Sequence, residues 1–498
     1  MPFLSRLRHV LAILVAAGSA GCAATPGRSP SSVDHVILLV ADGAGYNTWL
    51  ATAMYEGDAS AATPGDEWVH VACDTYALRD DQADAADPDG AEQDPTFVYD
   101  PARAWDTTPV EGERDEYPFF FEGYRWLRRA PDSANTATAM STGRRTYSGA
   151  INADAYGQPL EPTIASLTRL SGRAVGIVTS VPLSHATPAA LAGAHHESRG
   201  AYASLARQML ASTRLDFLAG CGNPDFDAAG RPVAAPDGAA YVWVGGAEVW
   251  RRLGGREPPA ERVPQHERAL HDEEIRDLSR WTLVQSRGDI ERLLTGELPE
   301  RPLIVPQVRL TLQQGRDARA DPRNTEPFAE PPLDTVPDLP TLTRVALRSL
   351  GSNSRGFFLH VEGGAVDWAM HGNQMGRMIE EMIDFRRAIE AVEEWVEANS
   401  DWSRALVIVT SDHDHLLAGP DADTLAFAPL VDRGEGRMPG HLWLADEHSN
   451  ALVPLFARGA GAEAFRNSHD GNDPVHGPYV AQTRIFDVLA RSLGTATP

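Results

Sequence analysis

Acidic and imidazole side chains gather at the ends of apolar runs in this chain. Asp42 follows His35–Ala41, while Glu362, Asp367 and His371 follow Gly356–Val361. Asp412 and His413 follow Ala405–Thr410, and His448 stands just ahead of Leu452–Ala457. A single aspartate at such a position is ordinarily a turn residue or a helix cap. Repeated at four run ends, these types make up a set of carboxylate oxygens and imidazole nitrogens, the donors that hold zinc. Asp367 and His371 are four residues apart, which puts them on one face of a helix. Alone, such a pair is common on solvated helices. Within Pro131–Gly143, Ser133 opens a run of small and hydroxyl-bearing residues. A serine that starts a helix is usually a cap, but the same placement aims its oxygen away from the helix body. There the positive helix end and a nearby cation can stabilise an alkoxide.

The elements that must position these groups are legible as alternating patterns. His35–Ala41, Ala174–Thr179, Gly356–Val361, Ala405–Thr410 and Leu452–Ala457 are apolar and rich in branched residues, as buried strands are. Helical patterns lie among them at Thr163–Leu170, Tyr202–Ser212, Leu342–Leu350 and Met375–Ala398. Strands alternating with helices predict an α/β layered fold with a largely parallel central sheet, and ligands in such folds collect at the carboxyl ends of the strands. Two stretches break the alternation. Residues 80–116 are acidic and rich in Asp, Ala, Pro and Gly, the composition of a mobile or loosely packed surface insertion. Residues 223–340 carry many Pro, Arg and Glu and read as a peripheral region or as long excursions; no internal repeat is present.

Bulk composition narrows the function. The 498 residues carry 69 Asp and Glu against 44 Lys and Arg, a formal charge of −25, with no basic run. That excludes a nucleic-acid platform built on a broad basic surface. A phosphate site in such a chain must depend on strong local positive charge such as metal ions. At the N-terminus, Arg6 and Arg8 precede the apolar run Val10–Ala17, then Gly18, Ser19, Ala20, Gly21 and Cys22. The run is too short for an ordinary membrane span and reads as an export signal, residues 1–22. Small residues ahead of Cys22 resemble a bacterial lipobox with Ser19 at the usual leucine position, so lipidation at Cys22 and anchoring to a bacterial membrane are expected, in the periplasm or on the cell surface. Residues 23–33 then form a flexible tether, and the folded domain spans 34–498. Only Cys73 and Cys221 remain beyond Cys22, which excludes a disulfide scaffold and leaves their pairing open.

Seven segments, taken together and in order, resemble the alkaline phosphatases: Val40–Gly45, Asp132–Ala139, His185–Ala190, Ala194–Arg199, Phe357–Gly363, Thr410–His413 and Glu447–His448. The resemblance implies that family's large, mostly parallel sheet between helical layers. It also implies phosphate monoester hydrolysis through a phosphoserine on Ser133, with two zinc ions and one magnesium ion. Asp367, His371 and His448 would hold one zinc, and Asp42, Asp412 and His413 the other. Asp42 would also bridge to magnesium, held further by Thr187 and Glu362. Arg199 is similar to the family's substrate arginine, whose planar fork takes two phosphate oxygens, with Asp132 orienting it. His185 and Trp368 stand where many members carry Asp and Lys, as in the His/Trp type of bacterial enzyme. The interval from Pro188 to Arg199 is one residue longer than usual, and the stretch from Asp414 to Glu447 is short where relatives build a dimer-associated crown, which leaves a homodimer open.

Rival chemistries lack their residues. No Cys-x-Pro-x-Arg segment surrounds any cysteine, as a sulfatase of related fold would need, and neither a Gly-x-Ser-x-Gly elbow nor a P-loop occurs. A phosphodiesterase of the same superfamily is the nearest alternative, and a lipoprotein that only binds phosphate or metal is another. Arg199 and Ser133 favour the monoesterase over both.

Overall fold

The computed structural model describes residues 33–111, 119–234, 236–256 and 278–495. The export signal, Cys22 and nearly all of the tether lie outside these, as do parts of both interrupting stretches. Thirteen strands are present among the described residues. They are β1 (His35–Ala41), β2 (Val69–Asp74), β3 (Ala174–Pro182), β4 (Phe217–Cys221), β5 (Thr282–Val284), β6 (Pro302–Ile304), β7 (Phe357–Gly363), β8 (Ala405–Thr410), β9 (Asp414–Ala418), β10 (Leu442–Ser449), β11 (Val453–Gly459), β12 (Gly471–Asp473) and β13 (Gly477–Ala481). Eleven of them form one sheet in the order β12-β13-β2-β11-β8-β1-β7-β3-β4-β6-β5. The seven from β8 to β5 are mutually parallel. β11 runs antiparallel between β8 and β2, so the sheet is mixed toward that edge.

Both faces of the sheet are covered, and β1 shows why its sequence is apolar without alternation. Val36, Leu38 and Val40 enter one core cluster, while Ile37, Leu39 and Ala41 enter the other on the opposite face. Successive side chains of a strand point to opposite faces, so a strand buried on both has no polar side to show. Helices Ser133–Thr142, Ala186–Leu191 and Thr483–Ser492 contribute to the first cluster, and Tyr46–Tyr55, Leu339–Leu350 and Met375–Asn399 to the second. Fully burying each Leu, Ile or Val contributes about 1.5–3 kcal/mol against the entropy of ordering it.

The interrupting stretches are more closely integrated than their composition predicts. Phe97, Tyr99 and Ala104, from the acidic stretch, are buried in a third cluster with Leu416, Leu444 and Leu452. Their aromatic rings supply the apolar area that the surrounding Asp and Pro conceal in a composition average. Within 223–340, β5 and β6 extend the parallel sheet at its edge. Val33 is buried rather than part of a free tether, donating its N–H to Ser492 O at 2.9 Å and accepting from Arg173. Cys73 and Cys221 are both buried and unbonded to each other. No helix among the described residues is long and apolar enough to cross a membrane.

The remaining two strands, β9 and β10, make a separate antiparallel ribbon. Its register pairs His448 with His415 and Trp443 with Leu417, so five steps along β10 answer to two along β9. The excess is a bulge that includes Asp446 and Glu447.

Candidate metal centre and active site

The chemistry-bearing residues converge at the carboxyl ends of adjacent parallel strands. Asp42 directly follows β1, Glu362 is the penultimate residue of β7, Asp412 and His413 lie just past β8, and His185 and Thr187 lie just past β3. Asp367 and His371 sit on helix Ala365–His371 after β7, and the ribbon supplies His415 and His448. Ser133 is the first residue of helix Ser133–Thr142, all ten of whose residues are buried. Its mostly small side chains let helices Ala186–Leu191 and Thr483–Ser492 pack closely against it. Asp132 caps it in a reciprocal box with Asn135, accepting from Asn135 N–H at 3.0 Å while Asn135 Oδ1 accepts from Asp132 N–H at 2.8 Å. At Gly43, with φ of 77°, a Cβ would stand 2.6 Å from Met370 Cε and 2.9 Å from His415, so the turn after Asp42 must be bare.

Two clusters of ligand atoms result. In one, Asp42, Asp412 and His413 surround a point where His413 Nε2 is 3.3 Å from each of Asp42 Oδ1, Asp412 Oδ2 and Ser133 Oγ. In the other, Asp367, His371, His415 and His448 meet, with His448 Nε2 3.0 Å from His371 Nε2 and 3.2 Å from Asp367 Oδ1. Glu362 accepts from Thr179 Oγ1. Beside these, Arg199 donates to Asp132 Oδ2 at 2.9 Å, and its second terminal nitrogen is 3.4 Å from His185 Nε2. The cleft over the site has a volume of about 630 Å³ and is lined by Asp132, His185, Arg199, Asp367, Trp368, His371 and His448, among others. Every site residue identified from sequence in 34–498 is therefore in this one place, the longer interval before Arg199 included.

The donor set fits metal ions. His371 Nδ1 lies 2.6 Å from Asp446 O and His448 Nδ1 lies 2.9 Å from Pro131 O, and a carbonyl only accepts. A neutral ring that donates at Nδ1 has a bare lone pair at Nε2, so two lone pairs face each other at 3.0 Å, an arrangement a cation stabilises. Asp42 Oδ1 and Oδ2, Glu362 Oε1, Thr187 Oγ1 and His413 Nδ1 are buried without a well-formed hydrogen bond among the described residues. Burial and the Asp412 carboxylate raise the Asp42 carboxyl well above its usual range. Burial, with the neighbouring Asp412 and Asp367 carboxylates, takes Glu362 up to about 8 against the hydrogen bond from Thr179, and burial with Asp367 takes Asp412 up to about 6. Such a concentration of buried carboxylates is the environment a divalent cation neutralises. Burial and Arg199 bring His185 down to about 3, so it is a neutral ring at any working pH. Burial opposes ionisation of Asp367 as well, and its carboxyl is held well below the usual range only when His371, His415 and His448 carry protons toward it, the positive charge that a cation at the shared point would supply to neutral rings.

Two members of the site were not singled out from sequence. His415 is 2.8 Å from Asp367 Oδ1 through its Nε2 and completes the second cluster. The alternation Asp412-His413-Asp414-His415 was the available signal, since residues two apart share a side of an extended chain. Thr179, in β3, carried no signal beyond being a hydroxyl in an apolar run.

A sequence model of the family described as alkaline phosphatase matches residues 106–234 and 309–433. The chain belongs to the alkaline phosphatase family. Among curated proteins it is 29% identical to streptomycin-6-phosphate phosphatase of Streptomyces griseus over 420 residues, covering 78% of this chain and 84% of that one. It is 27% identical to the alkaline phosphatase of Escherichia coli over 398 residues, covering 73% and 74%. Among solved structures, the alkaline phosphatase of the Antarctic bacterium TAB5 superposes with a TM-score of 0.56 at 20% identity, over 93% of this chain and 99% of that one. That of Thermus thermophilus does so at 0.57 and 17%, over 97% and 96%. The fold is thus that of the family.

The convergence of His371 and His448 on one point carries a direct expectation. His371→Ala and His448→Ala should each lower the metal content of the purified protein by about one ion per chain. Metal analysis by plasma mass spectrometry checks this, and full metal occupancy in either variant would refute a shared site.

Proposed function

We propose that this chain is an alkaline phosphatase that hydrolyses phosphate monoesters through a phosphoserine on Ser133, at a centre of two zinc ions and one magnesium ion. The observation that carries the reading is the placement of Ser133 Oγ beside the Asp42, Asp412 and His413 cluster, with the Arg199–Asp132 pair lining the same cleft. Asp367, His371 and His448 would hold one zinc, Asp42, Asp412 and His413 the other, and Thr187 and Glu362, with Asp42, the magnesium. Bound there, the ions would supply the positive charge that stabilises the attacking and leaving oxygens of an in-line displacement.

The chain's own residues do the positioning. The bond from Ser133 Oγ to phosphorus forms as the ester bond breaks, and water then releases phosphate and restores the serine. Arg199, held in plane by Asp132, offers its fork to two phosphate oxygens, which suits a terminal phosphoryl group more than a diester. The helix N-terminus at Ser133 adds partial positive charge where the phosphoryl group is held. Ser133→Ala should remove nearly all turnover of p-nitrophenyl phosphate at alkaline pH while the metals stay bound. Near-normal turnover, or faster turnover of bis-p-nitrophenyl phosphate than of the monoester by the parent, would defeat the assignment.

His185 and Trp368 set the expected response to magnesium. An imidazole stands where many relatives offer a carboxylate, and a hard cation prefers oxygen donors, so magnesium should be weakly held. A structural neighbour agrees with this direction: a histidine-to-aspartate variant of the TAB5 enzyme has magnesium bound in its M3 site. Trp368 lacks the charge of a lysine and should release product phosphate more readily. We expect added magnesium to activate the zinc-loaded enzyme, and His185→Asp with Trp368→Lys to tighten magnesium and strengthen phosphate inhibition. Titrations of magnesium and phosphate decide it, with a flat magnesium response or unchanged constants as the adverse result.

Export and lipid anchoring at Cys22 belong to the same proposal and rest on the residue pattern of 1–22 alone. Intact-mass analysis of the membrane fraction should find a chain starting at a diacylated Cys22. A soluble chain beginning elsewhere would count against it.

A further inference from the structure

Outside the phosphate and metal-ligating residues the cleft is lined by the exposed Asp80 and Glu447 and the half-buried Tyr202 and Trp368, which make up its outer part. Of the acidic groups in the cleft, Asp132 is taken by Arg199 and Asp367 by the surrounding imidazoles. Asp80 and Glu447 are the two carboxylates left over, and both are exposed. The arginine next to Asp80 does not neutralise it: Arg79 reaches Asp81 and Asp87, each at 3.8 Å.

Their placement is built by the fold. The bulge in β10 brings Asp446 O to His371 Nδ1 and thereby sets the Glu447 carboxylate 4.0 Å from that ring nitrogen. Trp368 follows Asp367 on its helix, so Glu447 and Trp368 both border the Asp367, His371 and His448 cluster in the same cleft. With Ser133 at the other cluster, an in-line displacement puts the departing oxygen on this side, and whatever is esterified to it lies near these two residues. The wall continues as aromatic rings. Trp368 is 5.7 Å from His185, the His185 and Tyr202 rings are within 7° of parallel, and Tyr202 packs on Trp243 at 4.2 Å. Aromatic faces combined with exposed carboxylates attract organic cations, and a tryptophan at 368 adds no positive charge to repel them as a lysine there would.

We propose that the outer part of the cleft selects phosphate monoesters of cationic alcohols, the amino and quaternary-ammonium alcohols, holding the cation against Trp368 and Tyr202 and between Asp80 and Glu447. This rests on the monoesterase reading and goes beyond it by naming a leaving-group class.

The test compares phosphocholine with its uncharged isostere, in which a tert-butyl group replaces trimethylammonium, on the full metal-loaded protein. Calorimetry on Ser133→Ala, which holds either ester unhydrolysed, should show phosphocholine bound about tenfold tighter at low salt. The parent should show a preference of the same sign in kcat/KM. Raising the ionic strength should shrink the ratio, and Asp80→Asn with Glu447→Gln should bring it to about one. Equal affinities for the two esters, or a preference untouched by salt and by the double substitution, would overturn the inference. p-Nitrophenyl phosphate separates the two claims, because a parent that hydrolyses it but shows no cation preference defeats only this inference. A parent that does not hydrolyse it defeats the monoesterase reading itself.

Discussion

The structure is organised around a concentration of electron pairs that cannot satisfy one another. Asp42, Asp412 and Glu362 place carboxylates in a buried space, and His371 and His448 turn bare nitrogens toward a common point. Side chains of this kind repel or desolvate each other at a cost of several kcal/mol unless positive charge stands between them. The surrounding fold is what holds them there regardless. Parallel strands deliver three of them from adjacent carboxyl ends, Gly43 clears the turn, and a helix mostly of Ala, Ser and Thr starts where Ser133 can reach His413. A scaffold with a large two-sided core can bear that cost, because nothing in the site contributes apolar burial of its own.

Much of this was legible in the sequence, and the reason differs by element. β1 and β8 coincide with their apolar runs to the residue, because a strand buried on both faces is a continuous apolar word bounded by polar residues. The helix Met375–Asn399 was read almost to its ends for the complementary reason, its apolar residues recurring with helical spacing. What a linear reading could not supply was pairing. Nothing in Leu452–Ala457 says that its strand runs against its neighbours, nor that β9 and β10 leave the sheet. His415 was missed on the same account. It enters the site because the ribbon sets it opposite His448, so the local alternation Asp412-His413-Asp414-His415 marks it only once that register is known.

Composition misled where a few residues outweigh many. The stretch beginning at Asp80 averages as acidic and loose, yet Phe97, Tyr99 and Ala104 bury themselves against the ribbon, and Tyr99 and Trp105 both donate to Asp473. Two or three aromatic side chains bury enough area to order a segment whose mean hydropathy says otherwise.

The ribbon has a further implication for how such a molecule can diverge. Its two histidines sit at the end where β9 begins and β10 finishes, and Ser449 Oγ donates to Asp414 there at 2.6 Å. The opposite end, beyond Ala418 and before Leu442, faces away along the ribbon. Ala422, Ala428 and Leu430 anchor the segment between those two residues in the core, but chain length at its exposed stretch, 431–437, does not enter the spacing of the ligands. Segments can be gained or lost at that tip, altering what the protein touches, while the geometry at its root stays the same.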